Sequence, residues 1–241
     1  MLIHLTFSQE GTTHTAYIGW EEVRVDYGHF TRTSELRRLL ICEQKGLCAY
    51  CGVALDTRLY AHQPNQPTHS FQAHIEHLKP QSQCKAELEA RGAVLGRDLG
   101  EDMAYANLVA ALEVSGIRTE QFGASHRRDK HLPVKPTERS CEQAFLYLED
   151  GAVVGASHEA QQTIQVLNLD HPTLRAWRRA AIEAWLPLEK ASDSSHLQNV
   201  ISTLQGTALS AYPEFVFVVH QIAKTRLQIL EQRSIQGGTA P

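Results

Sequence analysis

The sequence predicts an α+β protein, and three observations carry that prediction. Short apolar alternations bounded by turn residues fill the first 32 positions, a Cys-x-x-Cys turn and a His-x-Glu-His stretch follow a first helical pattern, and helical periodicity dominates the last third. A chain of 241 residues with a 42% hydrophobic fraction holds enough apolar material for a sizeable core. Three parts are expected: a β-rich segment over 1–32, a core over 33–156 and a helical extension over 157–241.

The composition narrows the function classes. Formal charge is −4, from 23 basic and 27 acidic residues with 13 histidines counted neutral. A protein that coats DNA by charge alone is strongly basic, so any nucleic-acid contact here must be local or shared with a partner. Five cysteines make an odd number, and the chain opens without the charged, apolar, small-residue order of a secretion signal. Both features point to a reducing cytoplasm and to thiol or metal roles rather than a disulfide scaffold. No run approaches the roughly 20 apolar residues that cross a bilayer, so no membrane is expected.

In chain order, strands are expected at 2–7, 15–18 and 23–27. Ser34 can cap a helix over 35–45, with Leu36, Leu39 and Leu40 at helical spacing and Gly46 as the stop. Its Arg37, Arg38 and Lys45 either meet phosphates or form a solvated face. Cys48 and Cys51 then flank a turn closed by Gly52, a geometry that brings two thiolates to one soft metal ion. The pair supplies half of a zinc site, so a structural zinc, a metal-free knuckle and a redox or packing role all stay open. Residues 56–72 read as a polar loop.

The chemistry concentrates at Ala73-His-Ile-Glu-His-Leu-Lys-Pro80. On an extended chain side chains alternate, so His74 and Glu76 share one face and His77 points to the other. Opposed neighbours suit divided roles, one anchoring a metal ion and the other reaching a substrate. Residues 84–111 read as helical, with a break over 92–100 and a second helical segment over 102–112. Asn107 can brace an imidazole or a backbone turn through its amide donor and carbonyl acceptor, or act as an ordinary cap. Residues 118–139 hold six Lys or Arg against three Asp or Glu, so a globally acidic chain turns locally basic around His126, Arg127, Arg128, Lys130 and His131.

A hairpin is expected at Glu149-Asp150-Gly151, between 141–147 and 152–154, and a polar link over 157–163. Asp170 or His171 caps a helix with Pro172 in its first turn and Leu174, Trp177, Ala181 and Trp185 along an apolar stripe. Two more helices follow, over 195–206 and 213–232, and a Gly-Gly-Thr-Ala-Pro tail ends the chain.

Taken in order, Cys48-x-x-Cys51, Glu76-His77-x-x-Pro80, Asn107-Leu108 and His126 resemble the HNH endonucleases, whose core is a ββα-metal fold. The longer pattern adds His74-Ile-Glu-His-Leu-Lys-Pro80, Lys130-His-Leu-Pro-Val134 with Cys141, Phe145, Tyr147 and Gly151, and Leu167-Asn-Leu-Asp-His-Pro172 with Arg178 and Arg179. It resembles the PtuB-like nuclease component of Septu and retron-type anti-phage defence systems, over residues 33–187. The resemblance implies a metal-dependent endonuclease of DNA, or alternatively RNA, working with an ATPase partner. It implies His77 as general base, Asn107 as the residue orienting it, Glu76 and His126 as ligands of Mg²⁺, Mn²⁺ or Ni²⁺, and a site position for His74. It also sets Cys48 and Cys51 near a structural Zn²⁺, while the local positive charge of Arg127, Arg128 and Lys130 suits phosphate contact or, alternatively, a solvated surface. Two departures stand out. Where the family has a second cysteine pair this chain reads Val109-Ala-Ala-Leu112 and Gly123-Ala-Ser125, and His131 competes with His126 for the last ligand position. A catalytically silent nucleic-acid-binding or adaptor subunit is the alternative.

Overall fold

The computed structural model describes residues 33–55, 72–92, 100–114, 116–205 and 211–237. The strands expected within 1–32, nearly all of the 56–72 loop and of the 92–100 break, and the tail beyond 237 lie outside the described residues.

Among the described residues the fold is α+β, with eight α-helices and two small antiparallel sheets. Helix α1 (Thr33–Glu43) leads through a knuckle to β1 (Gln72–His77) and α2 (Gln81–Ala90). Two 3₁₀ turns, Glu101–Met103 and Tyr105–Asn107, then deliver β2 (Leu108–Glu113). Helices α3 (Ala124–Arg127) and α4 (Cys141–Ala144) precede a hairpin of β3 (Phe145–Tyr147) and β4 (Val153–Gly155). Helices α5 (His158–Leu167), α6 (Pro172–Trp185), α7 (Ser194–Gln205) and α8 (Val216–Gly237) complete the chain. No helix among the described residues is long and apolar enough to cross a membrane.

The knuckle forms where α1 stops. Lys45 and Gly46 take positive φ, and the chain reverses so that Leu47 bridges Ala54 around Cys48 and Cys51. Buried Gln44 ties this knuckle to β2: Nε2 donates to the carbonyls of Leu47 and Ala110, both at 2.8 Å, and Oε1 accepts from the Ala110 amide at 2.7 Å. A buried amide that satisfies donor and acceptor together fixes a single arrangement of the two segments.

Strand β1 runs antiparallel to β2, from Gln72 opposite Glu113 to His77 opposite Leu108. The helix expected over 102–112 is instead two 3₁₀ turns and strand β2. Leu108 to Leu112 are all buried, so the apolar run carries no helical face, and five successive buried positions fit a strand covered on both sides. The polar residues before it form 3₁₀ turns instead.

A second correction concerns 157–163, expected as a link. Ser157 caps α5 by accepting from the Ala160 amide at 3.2 Å, and Ala160, Ile164 and Leu167 form its buried face. Asn168, in a left-handed conformation, ends it. Helix α6 resolves the open choice at its start: the His171 ring accepts from the Thr173 amide at 3.2 Å, while Asp170 pairs with Arg175 and accepts from the Val153 amide.

The helical extension packs on the core. Gln221 accepts from the Tyr147 amide and donates to the Phe145 carbonyl, Phe217 packs on Tyr147 at 5.5 Å between ring centroids, and Arg226 pairs with Glu149. Phe215 and Phe217 are buried, each adding about 2–3 kcal/mol of apolar burial. One contiguous apolar cluster runs from Leu40 to Ala223.

The β3–β4 turn rests on Gly151, whose φ is +82° and whose missing Cβ would lie 2.2 Å from the Arg175 carbonyl oxygen. Gly151→Ala is therefore expected to destabilise the protein by about 2 kcal/mol or more, read from the urea midpoint. An unchanged midpoint would mean that the hairpin does not press on α6.

Candidate functional site

The site lies where β1 ends beside the start of β2. The pairing of His77 with Leu108 sets Asn107, the residue before β2, at the same end of the hairpin as His77. Alternation along β1 turns His74 and Glu76 to one face, and His74 Nε2 lies 3.4 Å from Glu76 Oε2. Burial alone would lower the His74 pKa, but the Glu76 carboxylate outweighs it and holds the imidazole above its ordinary value. His74 Nδ1 is buried and has no hydrogen-bond partner among the described residues.

His77 is 8% exposed. Its ring hydrogen-bonds the Asp102 backbone carbonyl, and its Nε2 lies 3.3 Å from the side-chain nitrogen of Gln81. An amide nitrogen only donates, so Nε2 carries the lone pair and the Asp102 carbonyl receives the ring N–H. Burial pushes the His77 pKa below the ordinary histidine value, with Glu76 and Asp102 opposing without cancelling it.

Asn107 grips the backbone just beyond His77 rather than the ring. Its Oδ1 accepts from the Lys79 amide at 2.7 Å and its Nδ2 donates to the Lys79 carbonyl at 3.2 Å. Of the two bracing roles open to it from sequence, the structure shows the backbone turn. Lys79 itself is held by Glu87 at 2.5 Å and Glu101 at 2.6 Å, a pairing that raises its pKa well above the ordinary lysine value.

Arg127 is 0% exposed, so its guanidinium does not face a phosphate at the surface. Nη1 donates to the Tyr50 hydroxyl at 3.0 Å, Glu76 Oε1 at 2.7 Å and the His77 carbonyl at 2.6 Å. Nη2 donates to the Leu78 carbonyl and Nε to the Lys130 carbonyl at 3.0 Å. Arg128, Lys130 and His131 are exposed. His126 turns away on the same short helix, its Nδ1 3.0 Å from the Val166 carbonyl on α5.

Cys48 and Cys51 are free and buried, with their thiols hydrogen-bonded to each other. Burial would raise the Cys48 pKa, yet the Cys51 thiol and the backbone amides of Leu112, Cys51 and Tyr50 bring it down to about 7, the Leu112 amide at 3.3 Å. The Cys51 thiol is pushed up by burial and by Cys48.

These donors do not converge on a cation. Among the described residues no group of three or more His, Cys, Asp or Glu side chains is placed to hold a metal ion. Glu76 is engaged by Arg127 and His74, and His126 by Val166. Among the described residues, Glu76 and His126 are thus engaged by protein partners, and Cys48 and Cys51 pair with each other.

No family model matches the chain, and no curated protein matches it. Sequence reasoning missed Gln81, the Asp102 carbonyl, Tyr50 and the inward role of Arg127. Gln81 alone had a signal, standing four residues after His77.

Proposed function

We propose that this chain is a phosphodiester hydrolase, an endonuclease of DNA or alternatively RNA. The observation that carries the reading is His77: a neutral imidazole at the end of a strand, oriented through one nitrogen by the Asp102 carbonyl, with its lone pair on the other. Water displaces the Gln81 amide at Nε2, His77 takes its proton as the water oxygen bonds to phosphorus, and the bond from phosphorus to the leaving 3′ oxygen breaks, that oxygen keeping the electron pair and taking a proton from solvent water. Asn107 holds the Lys79 backbone that follows the base, and exposed Arg128 and Lys130 supply positive charge for phosphates on either side. The membership in anti-phage defence and the ATPase partner rest on the sequence resemblance alone. With a net charge of −4, recruitment to nucleic acid by a partner is consistent with the chain's electrostatics.

A catalytically silent adaptor is the second reading, and one observation favours it: Glu76 is committed to Arg127 rather than open to a cation. The pH profile of supercoiled plasmid nicking separates the two, run with Mg²⁺, with Mn²⁺ and with EDTA. Only neutral His77 accepts a proton, and its pKa is depressed, so the rate should rise with pH through a midpoint below 6.5 and stay flat to pH 8. No cleavage in any arm, with DNA bound, identifies the adaptor. Loss of cleavage in EDTA alone shows that substrate brings a cation into the site.

A further inference from the structure

We infer that Arg127 is the positioning residue of this site, fixing the two peptide planes that follow His77, with Glu76 as its counter-ion rather than a metal ligand. The aiming of His77 rests on the nuclease reading; the ion pair does not.

The guanidinium joins four stretches of chain. Tyr50 belongs to the knuckle, Glu76 and His77 to β1, Leu78 to the turn beyond it, and Lys130 to the segment after α3. A guanidinium directs donors from Nη1, Nη2 and Nε in one rigid plane, with the two Nη1 hydrogens shared among Tyr50, Glu76 and His77, whereas an ammonium group has three donors and no fixed plane. The carbonyls of His77 and Leu78 belong to successive peptides, and Asn107 clamps the next residue, Lys79. The backbone that carries the imidazole is thus gripped at three consecutive residues.

A guanidinium stays ionised at every working pH, and one wholly out of water needs an anion in direct contact. Glu76 Oε1, at 2.7 Å, is that anion. The same cation cross-links the Cys48–Cys51 knuckle to β1 and to α3. It ties Tyr50, between the two cysteines, to strand and helix.

The test uses the full chain and Arg127→Lys, with duplex affinity measured against salt and cleavage measured at saturating protein. A positioning role predicts affinity within about twofold of wild type, an unchanged salt slope, and a cleavage rate lower by on the order of 100-fold. Affinity weakened about tenfold, with a salt slope reduced by about one and an unchanged saturating rate, makes Arg127 a phosphate contact and overturns the inference. Glu76→Gln, which keeps an acceptor for the guanidinium, carries the test if Arg127→Lys does not fold. Its Mn²⁺ affinity by calorimetry should match wild type within about twofold, and its melting temperature in EDTA should fall by several degrees. A tenfold loss of Mn²⁺ affinity, or an unchanged melting temperature, overturns the counter-ion role. If wild type cleaves nothing, the nuclease reading fails, while the Mn²⁺ and melting measurements still decide what Glu76 and Arg127 do.

Discussion

Glu76→Ala is expected to lose about 3–5 kcal/mol of stability, the largest effect of any single side chain at this site. The reason is the asymmetry of the ion pair. Arg127 is 0% exposed, whereas the Glu76 side chain keeps 16% of its surface. Removing the carboxylate leaves a guanidinium out of water, bonded among the described residues to neutral oxygens of Tyr50, His77, Leu78 and Lys130. Urea unfolding in EDTA reads the loss free of any bound cation. Replacing both partners, as Glu76→Ala with Arg127→Met, should recover part of it, because an apolar pair leaves no uncompensated charge. A single-mutant loss below about 1 kcal/mol would mean that the pair behaves like a hydrated surface bridge.

His77→Ala should act in the opposite way, costing rate and little stability. Proton transfer by a positioned base contributes about 10²–10⁴-fold, and no other neutral imidazole in the described site has its ring held by a backbone carbonyl and a side-chain amide in this way. Folding loses the ring's hydrogen bonds to Asp102 and Gln81, worth about 1 kcal/mol each at most once water replaces them. Imidazole added to the buffer should restore part of the rate in the alanine variant, since the vacated space at the strand end admits the missing ring. Restoration without a pH dependence would argue against a base.

Several of these features were legible in the sequence, for reasons that differ by element. Strand β1 showed through its His-x-Glu-His alternation, and the β3–β4 turn through Glu149-Asp150-Gly151, because a positive φ at Gly151 is a local demand that sequence expresses locally. Helix α6 announced itself with His171-Pro172 and a spaced apolar stripe. Strand β2 did not, since Leu108 to Leu112 are buried on both faces and continuous burial erases the periodicity that separates strand from helix. Helix α5 was hidden by its polar outer face, although the cap at Ser157 and the Ala160, Ile164, Leu167 spacing were present.

At the site, the local motif gave His74, Glu76 and His77 their relative directions. The partners that decide their chemistry lie far along the chain. Arg127 reaches Glu76 across 51 residues and Tyr50 across 77. A run of basic residues looks alike whether its members face water or the core, so Arg127, Arg128 and Lys130 read as one patch although the first is buried and the others exposed. His126 faces α5 because the four-residue helix that aims Arg127 inward turns its neighbour away.

The most direct measurement is single-turnover cleavage of end-labelled duplex by wild type and His77→Ala, side by side at pH 7.5 with Mg²⁺. The account predicts cleavage by wild type and a rate lower by about 10²–10⁴-fold in the variant, with both proteins melting together within a few degrees. Equal rates in the two, from preparations of equal purity, would contradict His77 as the base and with it the catalytic reading of the site.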